Sequence, residues 1–306
     1  MISRRQFLQW AAAFGAVAAL PTSYGFAVEP RLRPQITRYD LECARWPADL
    51  KLTIAALADI HACHPWMSPE RIGSIVDMTN GLGADLIVLL GDYMAGHPFV
   101  TGYVGASEWA AVLAGLRAPL GVHAILGNHE WWSDRAVQQA GAGVPAARRA
   151  LEAVGIPVYE NDAVRLAKNG DAFWLAGLGD QIAFLPSRRL RPGRRIGVDD
   201  LAATLAKVTD DAPLVLLAHE PDVAARVPER VALTLSGHTH GGQVRLFGWS
   251  PMVPSRYGNR FAYGHVRERC DLIVSGGLGC SLLPFRFGVP PEVVVVTLRG
   301  RDRSSV

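Results

Sequence analysis

Five short apolar runs, each ending in a polar residue able to hold a metal, organise the middle of the chain. LTIAALA (52–58) runs into Asp59 and His61, ADLIVLLGD (84–92) ends on Gly91-Asp92, and GVHAILGNHE (121–130) ends on Gly127-Asn128-His129-Glu130. PLVLLAHEPD (213–222) carries His219, and VALTLSGHTH (231–240) closes on His238 and His240. Runs of this length predict buried strands. Between them the apolar positions recur at helical spacing. Ser68 as N-cap, Pro69 at the first position, then Ile72, Ile75 and Val76, predict one helix. Residues 107–116, 146–154 and 199–207 predict three more. Strands alternating with helices predict an α/β fold. Four later runs, FWLAGL (173–178), QVRLF (243–247), DLIVSGG (271–277) and EVVVVTL (292–298), add strands without a helix between each pair. That predicts two packed sheets rather than one. The proline-rich 30–50 is expected to add one edge strand near 36–41, and 185–196 and 250–264 read as loops.

Composition narrows the class. At 306 residues, about half of them apolar, the chain can bury a sizeable core, and a formal charge of +3 lacks the basic excess of a nucleic-acid binder. Four cysteines, Cys43, Cys63, Cys270 and Cys280, make no CxxC pair, which argues against a zinc knuckle or a thioredoxin-type motif. A disulfide between Cys270 and Cys280 is an open alternative in an oxidising compartment.

The N-terminus changes the picture more. A charged start with Arg4 and Arg5, then Phe7 and Leu8, precedes the apolar run WAAAFGAVAAL (10–20), which is short for a membrane span. Gly25-Phe26-Ala27 offers small residues for cleavage after Ala27. This resembles a twin-arginine signal over 1–27, so the twin-arginine translocation machinery is the expected partner. Export to the periplasm or cell envelope of a protein already folded is the expected outcome. Residues 28–50 are expected to form an N-terminal extension and 51–300 the catalytic domain.

Carboxylate, imidazole and amide donors at five strand ends form a ligand set for hard or borderline divalent metals, and such sites gather at the carboxyl edge of open α/β sheets. The set is too large for one metal and suits two cations sharing a carboxylate. Taken in order, Asp59-x-His61, Gly91-Asp92, Gly127-Asn128-His129-Glu130, His219 and Gly237-His238-x-His240 resemble the calcineurin-like metallophosphoesterases. The tail GLGCSLLPFRFGVPPEVVVVTL is similar to the end of an exported phosphodiesterase branch of that family. The resemblance implies a four-layer α/β/β/α sandwich of two mixed sheets. It implies Asp59, His61 and His240 around one metal, Asn128, His219 and His238 around the other, and Asp92 bridging them. Manganese, iron, zinc, cobalt and nickel all suit such donors. A hydroxide shared by the metals would attack phosphorus in line. His129 would bind a phosphate oxygen or protonate the leaving group. Glu130 is expected to orient an imidazole, and Arg286 to meet the substrate phosphate. The implied substrate is a phosphodiester, with an envelope lipid or glycolipid as its natural source. A UDP-linked acylated sugar, a phosphomonoester, and a non-catalytic scaffold are the alternatives.

Around this constellation several features have ordinary readings. Asp92 is followed by Tyr93-Met94-Ala95-Gly96 rather than the Asp-Arg-Gly of the protein phosphatases, which removes the acid expected behind His129. His64, His97, His123 and His265 read as surface or core histidines. SRRLRPGRR (187–195) reads as a solvated loop, with substrate steering or headgroup contact as the functional alternative. Trp131 and Trp132 read as packing at a helix start, with a pocket for an aromatic or acyl group as the functional alternative, and Trp66 and Met67 are divided between burial and an apolar rim facing lipid, a peripheral membrane contact. Gly241 and Gly242 are expected to tolerate positive φ and to bring backbone close to the metals, with Gln243 opening a strand.

Overall fold

The computed structural model describes residues 4, 10, 21–186 and 196–301. The arginine cluster at 187–195 and residues 11–20 of the leader lie outside the described residues. In chain order the strands are β1 (Gln35–Cys43), β2 (Leu52–Leu57), β3 (Cys63–His64), β4 (Leu86–Leu89), β5 (Gly102–Tyr103) and β6 (Val122–Ala124). There follow β7 (Asp162–Lys168), β8 (Asp171–Gly177), β9 (Leu214–Leu217), β10 (Val231–Ser236), β11 (Gly264–Arg267), β12 (Asp271–Val274) and β13 (Glu292–Gly300). The helices are α1 (Pro69–Asn80), α2 (Ala106–Leu113), α3 (Asn128–Trp132), α4 (Arg135–Ala140), α5 (Ala146–Ala153) and α6 (Leu201–Ala206).

Two mixed sheets form, ordered β1-β13-β2-β4-β6 and β11-β12-β10-β9-β8-β7, with β3 and β5 as a small separate ribbon. The period of two along each strand decides the layers. Ile54 and Ala56 of β2, Leu86 and Val88 of β4, and Val294 and Val296 of β13 pack against Phe173, Val215, Leu233 and Ile273 of the second sheet. Their neighbours Ala55, Leu57, Ile87 and Leu89 point the other way, onto Ile72 and Ile75 of α1, Trp109 of α2 and Leu151 of α5. Trp174, Leu214 and Leu216 cover the far side of the second sheet with Val208 and Val223. The result is the expected sandwich, with sheets inside and helices outside. Ser68 Oγ accepts from Arg71 N at the start of α1, as the N-cap reading predicts.

Three departures have physical causes. β7 and β11 escape the apolar-run criterion because both are half-exposed edge strands, paired antiparallel to β8 and β12. Residues 243–247 form no strand. Gln243 sits at φ 57, and the segment makes only isolated bridges, Val244 to Phe287 and Leu246 to Trp249. The stretch 28–50 is woven into the first sheet, where β1 runs parallel to β13 along its whole length. β13 in turn pairs antiparallel with β2, so the last strand lies between the first two. Among the described residues no helix is long and apolar enough to cross a membrane.

Candidate metal centre

β2, β4, β6, β9 and β10 all end on one side of the sandwich, and the loops that follow them bring the polar motifs together. The loops also bind one another: Asp59 N donates to Gly91 O and His61 N to Asp92 O, both at 3.0 Å. Each strand must turn at once for its ligand to face the cleft. Asp59, His61, Asp92, His238 and His240 do this with φ of 55°, 48°, 57°, 70° and 51°. The left-handed region is sparsely used by residues other than glycine, and Asp and His are among those that tolerate it best. Such strain collects where surrounding structure enforces it, at functional sites.

The side chains converge in two groups. Asp59, His61, Asp92 and His240 place ligand atoms within 4.8 Å of one another, as do Asp92, His219 and His238. Asp92 belongs to both. Asn128 joins the second group, its Oδ1 lying 2.9 Å from His238 Nδ1. The seven residues predicted as ligands therefore stand together, His238 facing one group and His240 the other. Thr239 between them turns away and donates to Ala262 O at 2.7 Å.

The arrangement fits cations. His61 Nδ1 donates to Met94 O at 2.7 Å and His219 Nδ1 to Leu90 O at 2.7 Å, so each ring turns Nε2 into the cleft. Buried His219 Nε2 has no hydrogen-bond partner, yet lies 3.2 Å from Asp92 Oδ2. His61 Nε2 and His240 Nε2 face each other at 3.0 Å, their rings stacked at 5.0 Å between centroids. Two carboxylates, four imidazoles and an amide are the donor set of a divalent first-row metal.

Charge and burial act in opposition here. Burial holds the His61 imidazolium down, to about 3, against the pull of Asp92. Burial, with His61 and Arg286, holds His240 well below its ordinary range. Burial raises the Asp59 carboxyl to about 7. For Asp92 burial also acts upward, but His219, His129 and His61 outweigh it and keep the carboxyl well below its usual range. His219 shows the reverse: burial acts downward, and Asp92, Glu220 and Asp59 outweigh it, so the ring holds a proton well above the ordinary range.

Supporting residues differ from expectation. Glu130 orients no imidazole. Its Oε2 accepts from Asp92 N and Gly127 N, both at 2.8 Å, and its Oε1 from Tyr93 N at 2.7 Å and Met94 N at 3.1 Å. One buried carboxylate thus ties together the two loops that carry Asp92 and Asn128. Arg286, expected to meet substrate, is fully buried; it donates to the carbonyls of Gly276, Gly279 and Val289, and its Nη2 lies 3.3 Å from His240 Nδ1. Gly241 and Gly242 do have positive φ, but a Cβ there would meet Val289 and Ser250 rather than a ligand. Glycines that crowd the ligands include Gly127, where a Cβ would strike Asp92 Oδ1 and the His219 ring, Gly237 and Gly277, where it would strike Asp59, and Gly96 and Gly279, where it would strike His61. The glycine directly before Asn128 and the one before His238 were the sequence signal for Gly127 and Gly237.

His129 is half-buried at the edge of the cleft. Its backbone N donates to Asp92 Oδ1 at 2.9 Å, and its Nε2 lies 3.5 Å from Ser281 Oγ. The ring stands edge-on to His61 at 4.8 Å and tilted to Trp132 at 5.3 Å. Trp132, singled out from sequence with Trp131, is the one of the pair that reaches the cleft, whereas Ser281 escaped the motif search because it is not a titratable group. Trp131 and Met67 are core residues, and Trp66 is half-buried under Arg31. All four cysteines are free, so Cys270 and Cys280 are not joined; burial raises the Cys63 thiol.

Comparison with known proteins agrees with this geometry. The family model for calcineurin-like phosphoesterase matches residues 52–242, and that for the twin-arginine translocation pathway signal sequence matches residues 1–21. The uncharacterized metallophosphoesterase YkuE of Bacillus subtilis is 30% identical over 310 residues, covering 98% of this chain and 99% of its own. An uncharacterized metallophosphoesterase of Aquifex aeolicus is 28% identical, covering 87% of this chain and 92% of its own. Among solved structures, the Thermus thermophilus sulfate thiohydrolase SoxB in complex with glycerol aligns at a TM-score of 0.44 and 12% identity, over 88% of this chain and 57% of that one. The family match spans every strand end that carries a metal-capable side chain, and the chain belongs to the calcineurin-like phosphoesterases.

Proposed function

We propose that the protein is a two-metal phosphodiesterase of the cell envelope. The family and the buried Asp/His cluster support a metal-dependent phosphoester hydrolase. The observation that carries the finer reading is Asp92, shared by two groups of ligands, with the orphaned His219 Nε2 beside its Oδ2. Asp59, His61 and His240 would hold one cation and Asn128, His219 and His238 the other. When bound, the pair supplies Lewis acidity, which brings the ionisation of water near neutrality and offsets charge on the phosphoryl oxygens. The chain supplies the rest. His129, beside the cleft and within reach of Ser281, donates a proton to the departing oxygen or a hydrogen bond to the phosphoryl group. Glu130 fixes the backbone on which Asp92 and Asn128 stand. The twin-arginine leader supports a periplasmic or envelope location, and exposed apolar side chains near the cleft support a lipid or glycolipid phosphodiester as natural substrate.

The test is turnover of bis-aryl phosphate by chelated protein reloaded with manganese, zinc or iron, with metal content counted on the same sample. Two ions per chain and metal-restored hydrolysis are expected, with kcat/KM above that on aryl phosphate. A higher kcat/KM on the monoester would remove the diester preference. Asp92→Ala should abolish turnover with the fold intact; near-native kcat in that variant would remove the two-metal reading.

A further inference from the structure

Residues 279–289 separate the metal centre from the leader. On the inner side Gly279 N donates to Asp59 O at 2.7 Å, Ser281 Oγ approaches His129, and Arg286 lies behind His240. The outer side receives the end of the leader. Residues 21–27 are helical, and Gly25 O accepts from Arg286 N at 3.0 Å. Phe26 packs edge-on against Phe285 at 4.8 Å between centroids, and Tyr24 against Phe287 at 6.1 Å. A Cβ at Gly25 would strike the Phe285 ring. Two residues beyond the cleavage point expected from sequence, buried Glu29 accepts from Gly288 N at 3.0 Å and Val289 N at 2.7 Å. The chain on both sides of Ala27 is thus built into the catalytic domain.

Around this junction apolar side chains stand in solvent. Leu282 and Leu283 lie on the same loop, and Phe247 and Trp249 on its neighbour. Gln243 Nε2 joins the two by donating to Leu283 O and Phe285 O, and Arg245 N donates to Phe287 O. Phe247 is fully exposed and Leu282 is 68% exposed, at φ of 51° and 64°. Bulky residues are rarely held in that region, so the fold stores strain to present them. Exposed apolar side chains gathered on two joined loops are what an interaction site presents.

We propose that this rim is a membrane-seating surface and that the leader is retained as its tether. The occupant is the bilayer, because the apolar run 10–20 leads directly into the helix docked on the rim. Chain leaving the membrane therefore arrives beside the mouth of the cleft. Tyr24 and Trp249, each an apolar ring with a polar tip, suit the headgroup level, and Phe26, Phe247, Leu282 and Leu283 suit the acyl boundary below it. The inference rests on the export leader and not on the proposed reaction.

The test uses the full-length chain in phosphatidylethanolamine–phosphatidylglycerol vesicles doped with a phospholipid whose acyl chain carries a photoactivatable diazirine. Labelled peptides are mapped by mass spectrometry, a readout independent of turnover. Label is expected within 243–253 and 281–287, and should fall by more than about tenfold in the triple variant Phe247→Ser, Trp249→Ser, Leu282→Ser, since each apolar side chain removed is worth about that factor in partition. Label confined to residues before 21 would overturn the seating surface. The intact mass of the envelope-bound protein should include Gly25; a mature chain beginning at Val28 would overturn retention of the leader.

Discussion

Replacing Glu130 should damage the fold more than replacing any single metal ligand. The carboxylate is 2% exposed and receives four backbone N–H groups, two on each oxygen. In Glu130→Ala those four donors are left buried without partners. Each costs about 1–3 kcal/mol, so the lower bound is about 4 kcal/mol. With an unfolding entropy of about 2.1 cal/mol/K per residue, that is a fall in Tm of about 7 °C for a domain of this size. Glu130→Gln separates this account from a general loss of packing. Its volume matches, but its amide nitrogen would face two N–H donors and could accept from neither. It should therefore lose at least half as much as the alanine variant, about 2 kcal/mol or more, because one pair of donors is released whichever way the amide sits. The assay is thermal unfolding of the metal-free variants by calorimetry. A glutamine variant within about 1 °C of the native protein would refute the four-donor account.

Metal loading should release protons. His219 holds a proton through Asp92, and Asp59 is raised to about 7, so both must deprotonate to bind a cation. Apparent affinity should rise with pH up to about 7, as Asp59 ionises, and go on rising above it as His219 gives up its proton, and calorimetric titration of the chelated protein in two buffers of different ionisation enthalpy measures the release; identical heats in both would contradict it. Gly127→Ala should lower metal content and kcat by at least about tenfold while Tm changes little, since the added Cβ meets Asp92 and His219 rather than the core; native metal content would refute the close-packing account.

The fold was legible wherever burial is two-sided. Uniform apolar runs such as LIVL of β4 and LVLL of β9 announce themselves without context. β7 and β11 did not, because an edge strand shows water one face and mixes its pattern. The residues of the candidate metal centre were legible as a group because chemistry limits which side chains can serve and because strand ends gather them. Their left-handed backbone was not, since Asp and His tolerate that region without advertising it. Glu130 and Arg286 were found as residues but assigned the wrong partners. Both spend their charge on backbone groups, and main-chain donors and acceptors are the same at every position and leave no mark in a sequence. Gln243 was read as the start of a strand because its neighbours alternate; its side chain instead clamps Ser281, Leu283 and Phe285.

The order of the first sheet sets a clock on biogenesis. β13 is inserted between β1 and β2, so the two N-terminal strands remain unpaired on that side until nearly the whole chain has been synthesised. The twin-arginine route carries proteins that have already folded, while its address sits at residues 1–21. The address is thus readable long before its cargo is fit to travel. A chain cut short before residue 292 would carry the address on a sheet whose β1 and β2 lack their shared partner.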